Sequence, residues 1–156
     1  MGGYRSSRRW PDCRSGDRPS RWGKQHSLDV GHVTHTVDSW INTRFQGLSP
    51  HPLISQPAFR SGASGDADDW RGIQAAVREV RDASRKFLDA GLAPDLDRVI
   101  PYDGSIEPLR PVGLTLRYAL MRIAAHHFVH VGEIATIRFR LGHAVGDFPD
   151  WGRDLV

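Results

Sequence analysis

From about Leu114 to Leu141 the chain is apolar on nearly every side of a helix, and three histidines stand inside that run. Leu116, Met121, Phe128, Val131, Ile134 and Phe139 share no single face. A helix of this kind must be covered on several sides, either by its own bundle or by a second subunit. The chain is therefore expected to be all-α and built around this segment, with Gly142 as the C-terminal stop. No apolar stretch reaches the roughly 18–20 residues that a membrane crossing needs.

Two further helices are expected. The first starts after Ser27 as N-cap and runs from Leu28 to about Phe45. Val30, Val33, Val37, Trp40 and Ile41 form its apolar face, and Gly47 and Pro50 stop it. The second follows Asp66, Asp68 and Asp69, whose charges favour a helix N-terminus. Trp70, Ile73, Val77, Val80, Ser84 and Phe87 recur there at steps of three and four, up to Gly91. Residues 47–65 read as a long turn-rich connection, and 91–113 as mainly loop with one or two short strands near RVIPY. There is no internal repeat, P-loop or dinucleotide fingerprint.

At 156 residues the chain suits one domain with a real core. The lone Cys13 excludes an intramolecular disulfide and a multi-cysteine metal cage. The opening residues do not read as a secretory signal, so a cytoplasmic location is expected. Of the net charge of +3, residues 1–25 carry +5, from seven Lys/Arg against Asp12 and Asp17, and the remainder carries −2. Residues 1–26 are read as a basic, disordered segment and 27–156 as the helical domain. Nucleic acid would have only the basic segment to bind, so it is not expected as a partner, and neither is a membrane.

The histidines carry the chemistry. At 100° per residue His126 and His130 lie about 40° apart on one helix face, and Glu133 falls about 20° to the other side of His126. Two imidazoles at i and i+4 can reach one divalent ion. A carboxylate one turn further can bind the metal, orient a ligand or act as a base. His127 points to another face. A metal would need a third ligand from elsewhere, and His32, His35, His51 and His143 are the candidates. His32 lies well off the Val/Trp/Ile stripe of its own helix, so periodicity does not select it.

The run HHFVHVGEIATIRFRLGH resembles the last-helix signature of the DinB-like (damage-inducible) superfamily, His-x-x-x-His-x-Gly-Glu/Gln-Ile. VGHVTHTVDSW, from Val30 to Trp40, resembles the Gly-His start of that family's second helix. The resemblance covers roughly residues 27–149 and is strongest at the last helix. It implies a four-helix bundle with one divalent ion, zinc or nickel, held in an open cleft by His32, His126 and His130. It also implies a homodimer. Several members of the family are thiol-dependent S-transferases using mycothiol or bacillithiol, the maleylpyruvate isomerases among them. Two departures stand out. Val37 occupies a position where many relatives carry Glu, and residues 1–25 do not read as the family's first helix, which would leave an apolar groove.

These implications give a metal-dependent thiol S-transferase or hydrolase acting on a small molecule, with a low-molecular-weight thiol as cosubstrate. Glu133 would serve as an anchor behind a ligand or as the catalytic proton acceptor, unless it pairs with Arg122 or Arg138. The alternative is a non-catalytic metal-binding protein of the stress response.

Overall fold

The computed structural model describes residues 18–63, 69–90 and 94–145, with side chains from residue 27 onward. It contains three α-helices and a two-stranded antiparallel ribbon. Helix α1 spans Arg18–Val37 and passes directly into a π-helical segment, Asp38–Phe45. Helix α2 spans Trp70–Leu88 and α3 spans Leu116–Arg140. Strands β1 (Val99–Ile100) and β2 (Leu114–Thr115) pair Val99 with Thr115 and Ile100 with Leu114. The central helix is α1, which packs against both others. Among the described residues no helix is long and apolar enough to cross a membrane.

The start of α1 corrects the sequence reading. Ser27 is no N-cap. It is buried inside a helix that began at Arg18, so the boundary expected at 26/27 falls within α1. Residues 18–26, expected to be disordered, are helical, while residues 1–17 lie outside the described part. Pro19 is the second residue of α1, and in the first turn its missing N–H and fixed φ cost nothing. The expected end was right: Gly47 adopts φ 74° just beyond Phe45.

The π-helical segment sets which way α1 faces. At 100° per residue, Ile41 and Phe45 would lie about 180° and 220° round from His32. Winding with i→i+5 bonds, such as Gln46 N–H to the Ile41 carbonyl (3.2 Å), rotates less per residue. Ile41 and Phe45 thereby join Tyr102, Leu114, Leu116 and Ala119 in the main core while His32 also meets α3. Asn42 anchors this segment to α2. Its amide donates to Asp38 Oδ1 (3.3 Å) and the Val80 carbonyl (3.2 Å), and its Oδ1 accepts from Ser84 and Gln46 (both 2.8 Å). All four bonding sites of that buried amide are used, so it carries no desolvation penalty from an orphan atom. Ser84, read as part of an apolar stripe, is in fact a polar contact.

Helix α2 follows its expected period, with Ile73, Ala76 and Val80 buried. Asp69 is its N-cap, accepting from Gly72 N–H at 2.8 Å. Asp66 and Asp68 lie outside the described residues. Helix α3 starts two residues later than expected because Leu114 and Thr115 form β2. The Thr115 hydroxyl then caps α3 by accepting from Tyr118 N–H at 3.1 Å. At its far end Gly142 takes φ 82°. Among the described residues the chain's own helices leave part of α3 uncovered. Met121, Val129 and Phe139 keep 68%, 62% and 74% of their surface exposed.

Candidate metal centre

Helices α1 and α3 bring His32, His126 and His130 together. Each reaches the cluster with Nε2: His32 Nε2 and His130 Nε2 both lie 3.2 Å from His126 Nε2. His126 and His130 are one turn apart on α3, and their ring centroids are separated by 4.5 Å. His32 approaches both edge-on, at 5.0 and 5.1 Å.

The backs of the rings fix their tautomers. His32 Nδ1–H donates to the Phe59 carbonyl at 3.1 Å. A carbonyl only accepts, so the His32 proton sits on Nδ1 and Nε2 presents a bare lone pair. His130 Nδ1 lies 2.7 Å from Glu133 Oε2, an ion-pair contact rather than a directed hydrogen bond. Asp29 Oδ1 lies 3.9 Å from the same nitrogen. In the neutral ring a proton on Nδ1 would face these carboxylates and leave Nε2 free to accept. Between these two acceptors His126 Nε2 can donate to only one, and its own Nδ1 is buried without a hydrogen bond. With both rings in that tautomer, two lone pairs face the one nitrogen of His126.

A cation suits this arrangement. Tetrahedral coordination with metal–nitrogen bonds of about 2.0–2.1 Å puts neighbouring nitrogens roughly 3.3 Å apart. The two 3.2 Å separations agree with that value, and the three nitrogens all lie within 4.8 Å of one another. The outer nitrogens of His32 and His130 already hold the acceptors that metal-ligating histidines favour.

Phe59 and Asp29 complete the support, and the sequence reading passed over both. Phe59 belongs to a 3₁₀ turn, Pro57–Phe59, inside the segment read only as a long connection. Its ring is fully buried against Gly31, where an added Cβ would collide with the ring carbons. Gly31 thus lets α1 come close enough for His32 to reach the Phe59 carbonyl. Asp29 is 2% exposed and three residues before His32. A carboxylate within the apolar surroundings of Leu28 and Val30 was the available signal.

The other histidines lie apart. His35 is on α1 with Nδ1 buried and no hydrogen bond to it, and burial, with Arg60 and His32 beside it, lowers its pKa. His51 bonds Glu79 at 3.1 Å. His127 Nδ1–H donates to the Ile123 carbonyl at 2.8 Å, one helical turn back. His143 follows the end of α3 and is exposed. Arg122 lies over the Trp40 ring, 5.9 Å from its centroid, rather than beside Glu133. Glu133 itself faces the outer nitrogen of His130, away from the converging Nε2 atoms, and is half exposed.

A cleft of about 670 Å³ opens behind His130, lined by Asp29, Glu133 and Arg140 among others. A second cavity of about 780 Å³, bordered by Arg44, Tyr102 and Arg110, includes none of the three histidines.

Burial is the main cause that pushes the His126 pKa down from 6.5 to about 4, with the positive charge that His130, His32, His127 and Arg122 would present adding to it. The unfolded chain takes up this proton near pH 6.5 and the folded chain only near pH 4, so the unfolded state binds more protons in between. Stability from this group is therefore intact above pH 6.5 and lost as pH falls to about 4. His126 is only partly buried, so after solvent screening we expect a loss of about 1–2 kcal/mol. Urea unfolding of metal-free protein at a series of pH values, beside His126→Gln, measures it. The wild-type chain should lose more stability on acidification than the variant, and equal slopes would contradict a neutral His126.

The fold and the site together define a helical protein with a three-histidine cluster able to hold a metal ion. Compared with known proteins, the chain matches no family model, no curated protein and no solved structure.

Proposed function

We propose that the chain is a DinB-like divalent-metal protein that acts as a thiol S-transferase or related hydrolase on a small electrophilic molecule. The observation that carries this reading is the convergence of three Nε2 atoms, with the Phe59 carbonyl behind the His32 ring and the Glu133 carboxylate behind the His130 ring. In this reading His32, His126 and His130 hold zinc or nickel, and α1, α2 and α3 are the second to fourth helices of the bundle. When bound by three imidazoles, the ion keeps a position open and lowers the pKa of a thiol or water there toward neutrality.

The chain's own groups do the rest. The Phe59 carbonyl accepts from Nδ1 of His32, and the Glu133 carboxylate lies beside Nδ1 of His130, so both rings are backed with Nε2 toward the cluster. Glu133 reaches the reacting groups only through the His130 ring, so it is a positioning residue here rather than the substrate's proton acceptor. Glu133→Gln is expected to weaken metal binding by roughly 10–100-fold while leaving kcat of the fully loaded protein little changed. Competition with a chromogenic chelator, followed by turnover at saturating metal, separates the two effects. A collapse of kcat with unchanged affinity would restore Glu133 as a catalytic base.

The functional test is thiol consumption. Zinc- or nickel-loaded protein should accelerate the loss of a low-molecular-weight thiol in the presence of an electrophile, and His130→Ala should not. The position of Glu133 also favours a second reading, a non-catalytic metal protein of the stress response. Metal-dependent melting with no thiol turnover, and no hydrolysis, would select it.

A further inference from the structure

The cavity of about 780 Å³ lies apart from the histidines, and the metal reading makes no use of it. Residues 99–103, which begin with β1, form one wall, and residues 110–113, just before β2, form the other. Arg44 enters from the π-helical segment of α1. Gly113 lets the two walls close on each other. Its φ is 84°, and an added Cβ would strike Val99 Cγ1 and the Ile100 carbonyl. Its N–H donates to the Leu109 carbonyl at 2.7 Å, which fixes the turn. The buried Tyr102 ring holds the other wall, its hydroxyl accepting from Ile106 N–H at 3.3 Å. Walls set before a ligand arrives reduce the ordering entropy lost on binding.

Two guanidiniums reach this cavity, and each is tied down with most of its donors left over. Arg44 lies over the Tyr102 ring, 4.8 Å from its centroid, and its Nη1 donates to Asp103 Oδ1 at 2.7 Å. Arg110 Nε–H donates to the Gly104 carbonyl at 3.0 Å. Among the described residues neither group makes another hydrogen bond, although a guanidinium carries five N–H donors. Asp103 is a weak competitor, because its side chain is 91% exposed and ion pairs so open to water contribute little. Its single charge against two arginines leaves the cavity with one uncompensated positive charge. The remaining lining is mostly apolar, with Val99 and Val112 keeping 57% and 68% of their surface exposed beside Pro101 and Pro111.

Charge and surface together select the ligand. The planar fork of arginine matches the two oxygens of a carboxylate. One net positive charge suits one such group, and the Asp103 carboxylate disfavours the second charge of a phosphate dianion. The valine and proline lining suits an apolar body, and the volume falls in the range of roughly 300–1,000 Å³ typical of small-molecule sites. We propose that this cavity binds an apolar monocarboxylate, its carboxylate held between Arg44 and Arg110 and its chain or ring lying on Val99 and Val112. None of the three histidines takes part, so the site stands whether or not they hold a metal.

Isothermal titration of the full chain with hexanoate and phenylacetate tests the site. At least one of the two is expected to bind once per chain, with a dissociation constant below about 1 mM. Acetate lacks the apolar body and hexanol the charge, and each should bind at least about tenfold more weakly. Arg44→Gln and Arg110→Gln should each weaken binding by about tenfold or more. Val112→Asp alters an exposed side chain and sets a second carboxylate on the apolar wall. It should leave the circular dichroism unchanged and weaken binding by a similar factor. Asp103→Asn removes the competitor and should tighten binding. Failure of both carboxylates to bind would overturn the site, and so would wild-type affinity in Arg110→Gln or Val112→Asp. Inorganic phosphate binding as tightly as phenylacetate would overturn it too, since the apolar wall would then select nothing.

Discussion

Replacing His126 with alanine is expected to lower divalent-metal affinity by well over the roughly 10–100-fold that loss of an outer hydrogen-bond partner costs. His126 Nε2 is the vertex shared by both 3.2 Å separations, so its removal leaves His32 and His130 without their common neighbour. Two facing imidazoles on separate helices remain, and each is still held by its own acceptor. Isothermal titration with zinc, beside elemental analysis of protein purified without chelator, gives the result directly. The wild type should retain close to one ion per chain and the variant almost none. Equal retention would mean that any metal is held elsewhere, for instance by Asp29, His130 and Glu133, which can also come together around an ion. In metal-free protein the same substitution has a second effect. It removes a depressed pKa, so stability should fall less steeply with acidification.

Phe59→Ala is expected to cost about 3–5 kcal/mol, because it empties a fully buried aromatic site. The ring lies on Gly31, one residue from His32, and the same residue's carbonyl accepts the His32 proton. Alanine keeps the carbonyl but lets the turn Pro57–Phe59 shift, so the His32 ring loses its fixed direction. In a chain of this size the midpoint of thermal unfolding should drop by roughly 10 °C, and metal affinity should fall with it. Phe59→Leu, which fills much of the space, should recover most of both. If Phe59→Ala unfolds at the wild-type temperature, the turn is not what supports α1. If it is destabilised but binds metal normally, His32 takes its direction from elsewhere.

The sequence disclosed the parts of this site that obey regular periods. His126 and His130 share a face because α3 is an unbroken α-helix, and the i, i+4 rule holds there. Helix α2 was legible for the same reason, while its cap Asp69 was read only as one of three acidic residues that favour a helix start. His32 was not legible, because the stripe of Val30, Val33, Val37, Trp40 and Ile41 was taken as the buried face, whereas Leu28, Gly31 and Thr34 are among the residues that α1 buries and the three valines are only half-buried. The resemblance at Gly31–His32 named the histidine that the structure brings beside His126. Phe59 has no period at all, since its place depends on a turn folding back on a glycine far away in sequence. The start of α1 was misjudged on composition: Gly, Pro and Ser were taken as breakers, although Pro19 stands where a helix tolerates proline best. At the other end of the chain, β2 took two residues from α3 because Leu114 and Thr115 pair with β1.

The wide-wound stretch of α1 also bears on how this chain tolerates insertions and deletions. It acts as a phase shifter between the end bearing His32 and the end bearing Ile41 and Phe45. Losing one residue there would let the backbone relax to ordinary winding, with no clash and no broken helix. The two ends would nonetheless rotate against each other. An in-frame deletion far from any imidazole would then unmake the cluster as surely as removing a ligand.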